Sequence, residues 1–535
     1  MVAPRYLPAL AAALLLAACG GSTDSGTAGT RDKILIERWA ASAGDPAALD
    51  PANAIYTLPQ ASIPYALFDQ LMTFDPHAGK VVPMLAASVA ANDNATVWTF
   101  TLRPDALWHD GEPILPSDVK FAWERIVDPA TASRWAAMFS AIKGYGEFRA
   151  QAATEIAGLR ADDAARTLAV ELDAPFSEFP ELVTQLPFSP VPAKVVAALP
   201  VGTRWDDQLM VGSGPFQMAE PWRHGRDVKV KRFDKYYGEK AKLDGIEFRI
   251  AKDVDASFTE LEAGTAHIAF MPPSRYAEIK GRSDLTVIDD PMSATWYLGF
   301  NMQDPTVGGA RNKKLRQAIA KAIDRKTIVD VIYQGGRRVG WTLTPPELSG
   351  RAATSGGERD VAAAKAALAE WGGAGKLAQP IRLIYNIGSG QENVAAVVKS
   401  NLQDIGIAVD VKSFDSAQFA GEILKPDTLM FRQLITFTYP SPDAGLYALL
   451  HSKSVGTNLP RYANPQVDAL LDEARRTLDA GKRRELYAQA EAIALEDAPV
   501  VPVFHYKAAG VMSKALRGVT FMPSGYMAYG SAELK

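Results

Sequence analysis

The chain has 535 residues, 47% of them hydrophobic and 22% charged, which rules out wholesale disorder and implies two or three globular units. Lys and Arg number 57 against 61 Asp and Glu; a formal net charge of −4 without a long basic stripe argues against nucleic acid as a partner. The one cysteine, Cys19, excludes an intrachain disulfide and a cysteine-built zinc site, and the six histidines form neither a His-x3-His pair nor an HExxH run.

At the N-terminus, Arg5 precedes an apolar stretch from Tyr6 to Ala18, too short for a membrane-spanning helix but suited to the apolar region of a signal peptide. The run Leu16-Ala17-Ala18-Cys19 resembles the lipobox of bacterial lipoproteins. That resemblance implies cleavage before Cys19 and lipid attached to its sulfur and its new amino group. Several acyl chains, at about 0.8 kcal/mol per buried CH2, would hold such a product on a membrane. Gly20 to Gly29 is rich in Gly, Ser and Thr, the composition of a flexible tether.

Further along, Trp98 to Leu102 alternates polar and apolar residues and reads as a half-buried strand. Val119, Trp123 and Ile126 then follow helical spacing, with Ser117 as the expected N-cap. Ile381 to Tyr385 reads as a strand and Gln391 to Ile405 as a helix, with Gly406 placed to end it. Ile407, Val409 and Val411 alternate as the next strand, so this strand–helix–strand unit predicts parallel pairing through a right-handed crossover. Two helices, Val467 to Leu478 and Arg483 to Leu495, precede a short strand from Val500 to Phe504. The fold class is α/β.

No catalytic pattern is complete. A G-x-S-x-G elbow is absent, and Gly212-Ser213-Gly214 and Gly388-Ser389-Gly390 both lack the third glycine of a dinucleotide fingerprint. In the Gly372-Gly373-Ala374-Gly375-Lys376 run, Glu370 stands where a phosphate loop needs its first glycine and Leu377 replaces Ser or Thr; it reads as a helix stop and a turn. Acidic pairs such as Asp289-Asp290 are ordinary on solvated loops. No enzymatic activity and no cofactor or metal are expected.

A set of motifs in fixed order carries a resemblance over nearly the whole mature chain. They are Ala66 to Leu71 (ALFDQL), Pro83 to Ala86, Val97 to Pro129, Gly212-Ser213-Gly214-Pro215-Phe216, Asn301 with Arg316 to Arg325, Ala396 to Val409, and Asn458, Tyr462 and Asp468. In these the chain resembles the bacterial extracellular solute-binding proteins of the peptide/nickel class, most closely the oligopeptide-binding proteins of ABC importers. The resemblance implies a periplasmic-binding-protein-like two-lobed fold with an extra domain. Domain I would be discontinuous, over 34–62, 188–292 and 500–535, with domain II an insertion over 63–187 and domain III over 293–499. It further implies a monomer in the periplasm, held to the membrane through Cys19, that closes on an extended oligopeptide and delivers it to a membrane permease.

Site residues follow from the same resemblance. Oligopeptide binders carry an acid that neutralises the ligand's α-ammonium where this chain has Thr438, and many have another between the two prolines, where this chain has Ser441. Either end recognition has changed or Asp443 reaches in instead. Arg432 matches an arginine directed at a peptide carboxylate, and its forked donors suit that task. Trp135 falls where the family has a cleft tyrosine; Trp296, Tyr297 and Asn301 lie on a strand that contacts ligand in the family, and Tyr439 adjoins the amine position. His109, in Trp108-His109-Asp110-Gly111, is expected to serve the fold. The alternative ligand is a sugar, a nickel complex, haem, or an amine-blocked peptide.

Overall fold

Three sheets organise the chain. In a computed structural model the described residues are 33–40, 46–54, 60–200, 203–272, 275–349, 358–388 and 390–535; the signal segment, Cys19 and the tether lie outside them. The expected half-buried strand is Val97–Leu102, with Trp98, Phe100 and Leu102 buried on one face. It sits in a four-stranded antiparallel sheet with Ala86–Ala91, Thr167–Glu171 and Leu159–Asp162. The helix beside it, Pro116–Val127, buries Val119, Trp123 and Ile126 as the spacing predicts. Its cap differs from expectation. Ser117 lies inside the first turn and donates to Asp163, and Asp118 accepts from the Leu115 N–H at 3.0 Å. An ionised carboxylate is the stronger acceptor for that orphan N–H.

A seven-stranded sheet contains Ile34–Ala40 paired in parallel with Gly245–Ala251. Its core is continuous with that of the four-stranded sheet: Leu35 and Phe248 belong to the same buried cluster as Phe100 and Trp123. The family motifs knit this lobe together. Leu67 O accepts from the N–H groups of both Ser213 and Gly214, and Ser213 Oγ accepts from the Asp69 N–H. His109 Nδ1 accepts from the Gly212 N–H, leaving Nε2 to donate to Gly214 O at 3.0 Å. Burial lowers the His109 pKa to about 4, so the ring is neutral and structural. A methyl on Gly212 would meet Leu67 O at 2.1 Å, which is why only glycine fits there.

The third sheet has six strands, in the order Arg338–Val339, Val500–Lys507, Pro291–Phe300, Met430–Thr436, Ile381–Asn386 and Val409–Phe414. The predicted strand–helix–strand unit is present as Ile381–Asn386, Gln391–Gln403 and Val409–Phe414, and its strands pair in parallel. Gly406 takes a φ of 86° and Gly372 a φ of 119°, each ending a helix as expected. Two cores pack on opposite faces of this sheet, one holding Trp296 and Phe504, the other Tyr297 and Phe431. The result is an α/β, two-lobed fold.

One boundary differs from expectation. The strand Val500–Lys507, expected in domain I, pairs along Pro291–Phe300 in the six-stranded sheet. A run buried from Val500 to His505 needs both faces of its sheet covered, here by the core that holds Val501 and Phe504 and the core that holds Val500. The chain returns to the seven-stranded sheet just after it, at Gly510–Ser513. The outward crossing, between Leu285–Ile288 and Pro291–Phe300, runs alongside: the Ala508 N–H donates to Asp290 O at 2.9 Å, and Lys507 pairs with Asp289 at 2.5 Å.

Glu37, fully buried on the Ile34–Ala40 strand, accepts from the Tyr529 hydroxyl, and burial raises its pKa from 4.5 to about 7. A raised folded pKa means that the native state holds its proton where the unfolded state has lost it, so this contribution is complete below pH 4.5 and lost as pH climbs through about 7. His505, lowered by burial to about 3, works in the opposite sense: its contribution is present above the ordinary histidine pKa of 6.5 and lost on acidification. Glu37→Gln isolates the acid. Urea titrations should show the variant gaining about 2–3 kcal/mol on wild type between pH 4.5 and 7; a difference constant with pH would show that Glu37 is ionised throughout.

Candidate ligand-binding site

The Met430–Thr436 strand and the segment after it hold most of the expected site residues. Arg432 lies opposite Leu298 across the sheet and is only 8% exposed. One guanidinium nitrogen donates to Asn386 Oδ1, while Nε is buried with no hydrogen-bond partner. Its guanidinium carbon lies 5.7 Å from the Phe419 ring centroid, a cation–π distance. Desolvation lowers its pKa, and the groups acting on its charge are the phenols of Tyr506, Tyr333 and Tyr297. Its charge is thus surrounded by phenols and an amide oxygen and, among the described residues, has no ion-pair partner.

Asp443 is in a different condition. Both of its oxygens are engaged: Arg475 donates from Nε to Oδ1 and from a terminal nitrogen to Oδ2, each at 2.8 Å, and the Tyr439 hydroxyl donates to Oδ2 at 2.5 Å. The Tyr487 hydroxyl lies 3.1 Å from Oδ1 and 2.8 Å from Glu178 Oε2. Glu178, from the segment after the four-stranded sheet, also accepts from Arg483 Nε at 2.9 Å and from the Ser441 hydroxyl at 2.6 Å. A carboxylate at position 441 would face Glu178, whereas the Ser441 hydroxyl donates to it. Backbone joins the same seam, where the Ser177 N–H donates to Arg475 O at 2.7 Å. Tyr439, Arg475 and Phe176 border a cavity of about 440 Å³ beside this network.

The remaining expected residues scatter. Thr438 is exposed. Trp135 is half-buried, its indole N–H donating to Ala54 O at 2.9 Å. Trp296 and Tyr297 point to opposite faces of the sheet, both buried; the Trp296 indole donates to Gln391 Oε1 at 2.9 Å, while Tyr297 lies on the face of Phe431. Asn301 holds a turn, accepting from the Gln303 N–H at 3.1 Å and donating to Pro426 O at 2.8 Å. The structure thus brings Tyr439 and Asp443 together and places Tyr297 beside Arg432. Glu178, Arg475, Arg483 and Tyr487 escaped sequence reasoning; Glu178 and Arg483 are 305 residues apart, beyond any local pattern.

Comparison with known proteins decides the family. A profile described as bacterial extracellular solute-binding proteins, family 5 (middle), matches residues 80–457. The chain belongs to that family. It is 28% identical over 488 residues to the periplasmic murein peptide-binding protein MppA of Escherichia coli, covering 89% of this chain and 88% of the relative. It is also 28% identical over 475 residues to the probable deoxycholate-binding periplasmic protein YgiS of the same organism, with 86% of each chain covered. Among solved structures, the unliganded open form of MppA superposes with a TM-score of 0.78 at 25% identity, over 94% of this chain and 98% of the other. The protein is thus a solute-binding protein, not an enzyme.

Proposed function

We propose that this solute-binding protein captures extended oligopeptides between its lobes and hands them to the permease of an ABC importer. It would act as a monomer, anchored in the periplasm through lipid on Cys19. Domain I would comprise 34–62 and 188–292 with the chain beyond the Val500–Lys507 strand, domain II 63–187, and domain III the remainder with that strand. The observation carrying the peptide reading is Arg432, a buried cation with an unpartnered Nε and, among the described residues, no ion pair. A ligand's terminal carboxylate supplies what it lacks. Peptide backbone would pair with the protein as an added strand does, which makes binding tolerant of side chains. Trp135, Trp296, Tyr297 and Asn301 would shape the walls.

A second reading concerns the ligand's other end. Thr438 offers a hydroxyl, and Asp443 is already neutralised by Arg475. A buried α-ammonium would find no spare carboxylate at either position, which favours ligands whose amino end is blocked, absent or left in water. Calorimetry on the chain from Thr23 onward, without lipid, tests both ends at once. Tetrapeptides, their N-acetyl forms and their C-terminal amides are compared. Acetylation should change affinity little, and amidation should weaken it by tenfold or more, about 1.4 kcal/mol. A large loss on acetylation would restore an amine anchor; no binding by any peptide would pass the assignment to sugars, haem or nickel complexes.

A further inference from the structure

Arg432 is not the only cation there without an acid. Arg337, at the end of the turn that follows Tyr333, stacks its guanidinium carbon 5.0 Å from the Tyr333 ring and 4.8 Å from the Tyr506 ring. One terminal nitrogen donates to Gly336 O at 2.7 Å, and its Nε is buried with no hydrogen-bond partner. Arg432 acts on the same two tyrosines, so Tyr333 and Tyr506 are shared between the two cations. Among the described residues neither arginine has an ion pair. The contrast with the adjacent Arg338 is informative: that side chain is neutralised by Glu347 at 2.9 Å.

The neighbouring groups cannot balance two positive charges. Burial raises the pKa of Tyr333 to about 12 and pushes Tyr297 and Tyr506 up as well, so all three phenols stay neutral and can act as donors. Glu392 is a carboxylate whose charge reaches Tyr333; it accepts from the Gly388 N–H at 2.8 Å and, among the described residues, pairs with neither arginine. One terminal carboxylate would neutralise one guanidinium and leave the second. Arg337 is half-buried, so its guanidinium is not sealed from solvent.

We propose that Arg337 and Arg432 form a two-anion subsite, and that the preferred ligands carry a second negative group beside the terminal carboxylate, as a peptide ending in Glu or Asp does. This rests on Arg432 receiving the ligand's carboxylate. Arg337 then sets specificity, and the tyrosine pair holds its fork toward the second anion.

The test is calorimetry on the lipid-free chain with Ala-Ala-Ala-Glu, Ala-Ala-Ala-Gln, and the C-terminal amide of the second. In wild type the Glu peptide should bind about tenfold more tightly than the Gln peptide, the scale of one charge-assisted pair. Arg337→Gln should bring that ratio close to one, and Arg337→Lys should restore part of it. A wild-type ratio near one overturns the proposal. So does an Arg337→Gln variant that weakens both peptides equally, since that marks support of the fold alone. If the amide binds as well as its acid, the role of Arg432 has failed, independently of the Glu-to-Gln ratio. Silence from all three peptides overturns both.

Discussion

Replacing Asp443 by alanine should cost about 3–5 kcal/mol of stability, the scale for removing one partner of a buried ion pair. Asp443 is 1% exposed, and its loss strands the Arg475 guanidinium between the Tyr447 ring, 3.2 Å away, and the Phe176 ring, 4.9 Å away. The hydroxyls of Tyr439 and Tyr487 lose an acceptor in the same step. Because Ser177 and Glu178 meet this network from the other lobe, the variant should also loosen the seam between lobes. Urea unfolding measures the first effect. The double variant with Arg475→Met should recover much of the loss, since two apolar neighbours then replace a broken pair. A cost under about 1 kcal/mol would mean that water reaches Arg475 and screens it.

Arg432→Gln should behave in the opposite way. It removes a buried cation that has no acid, so the ligand-free protein should keep its stability within about 1 kcal/mol of wild type or gain some. Affinity for a peptide with a free carboxylate should fall by about 2–4 kcal/mol, the range for truncating one partner of a buried charge pair. Affinity for the amidated peptide should hardly move. Unfolding curves and calorimetry on the same sample separate the two effects. A variant that loses stability yet keeps its affinity would make Arg432 a structural residue.

The elements legible in the sequence were those whose signal is local. The Ile381–Asn386, Gln391–Gln403, Val409–Phe414 unit shows its periodicity within thirty-odd residues, and its helix stop is a glycine at positive φ. The motifs around Leu67, His109 and Gly212 were visible as a family pattern, and the structure shows why they occur together: they hydrogen-bond to one another. What stayed hidden depends on partners far along the chain. Asp443 reads as an available acid until Arg475 is placed against it, 32 residues on. Alternation along Pro291–Phe300 suggests one face in the cleft and one in the core, but a strand with neighbours on both sides and a core on each face buries both. The unexplained charge at Arg337 has no sequence signature at all, because an arginine without a partner looks like any other.

The paired passage of the chain between the lobes limits how they can move. A single connecting strand would act as a swivel, free to bend, twist and slide. Here two run side by side, tied by the Ala508–Asp290 hydrogen bond and the Lys507–Asp289 ion pair. Twisting would shear that tie and sliding would stretch it, whereas folding about the line joining the two strands leaves it intact. The motion that this tie leaves to the two lobes is a bend about one axis.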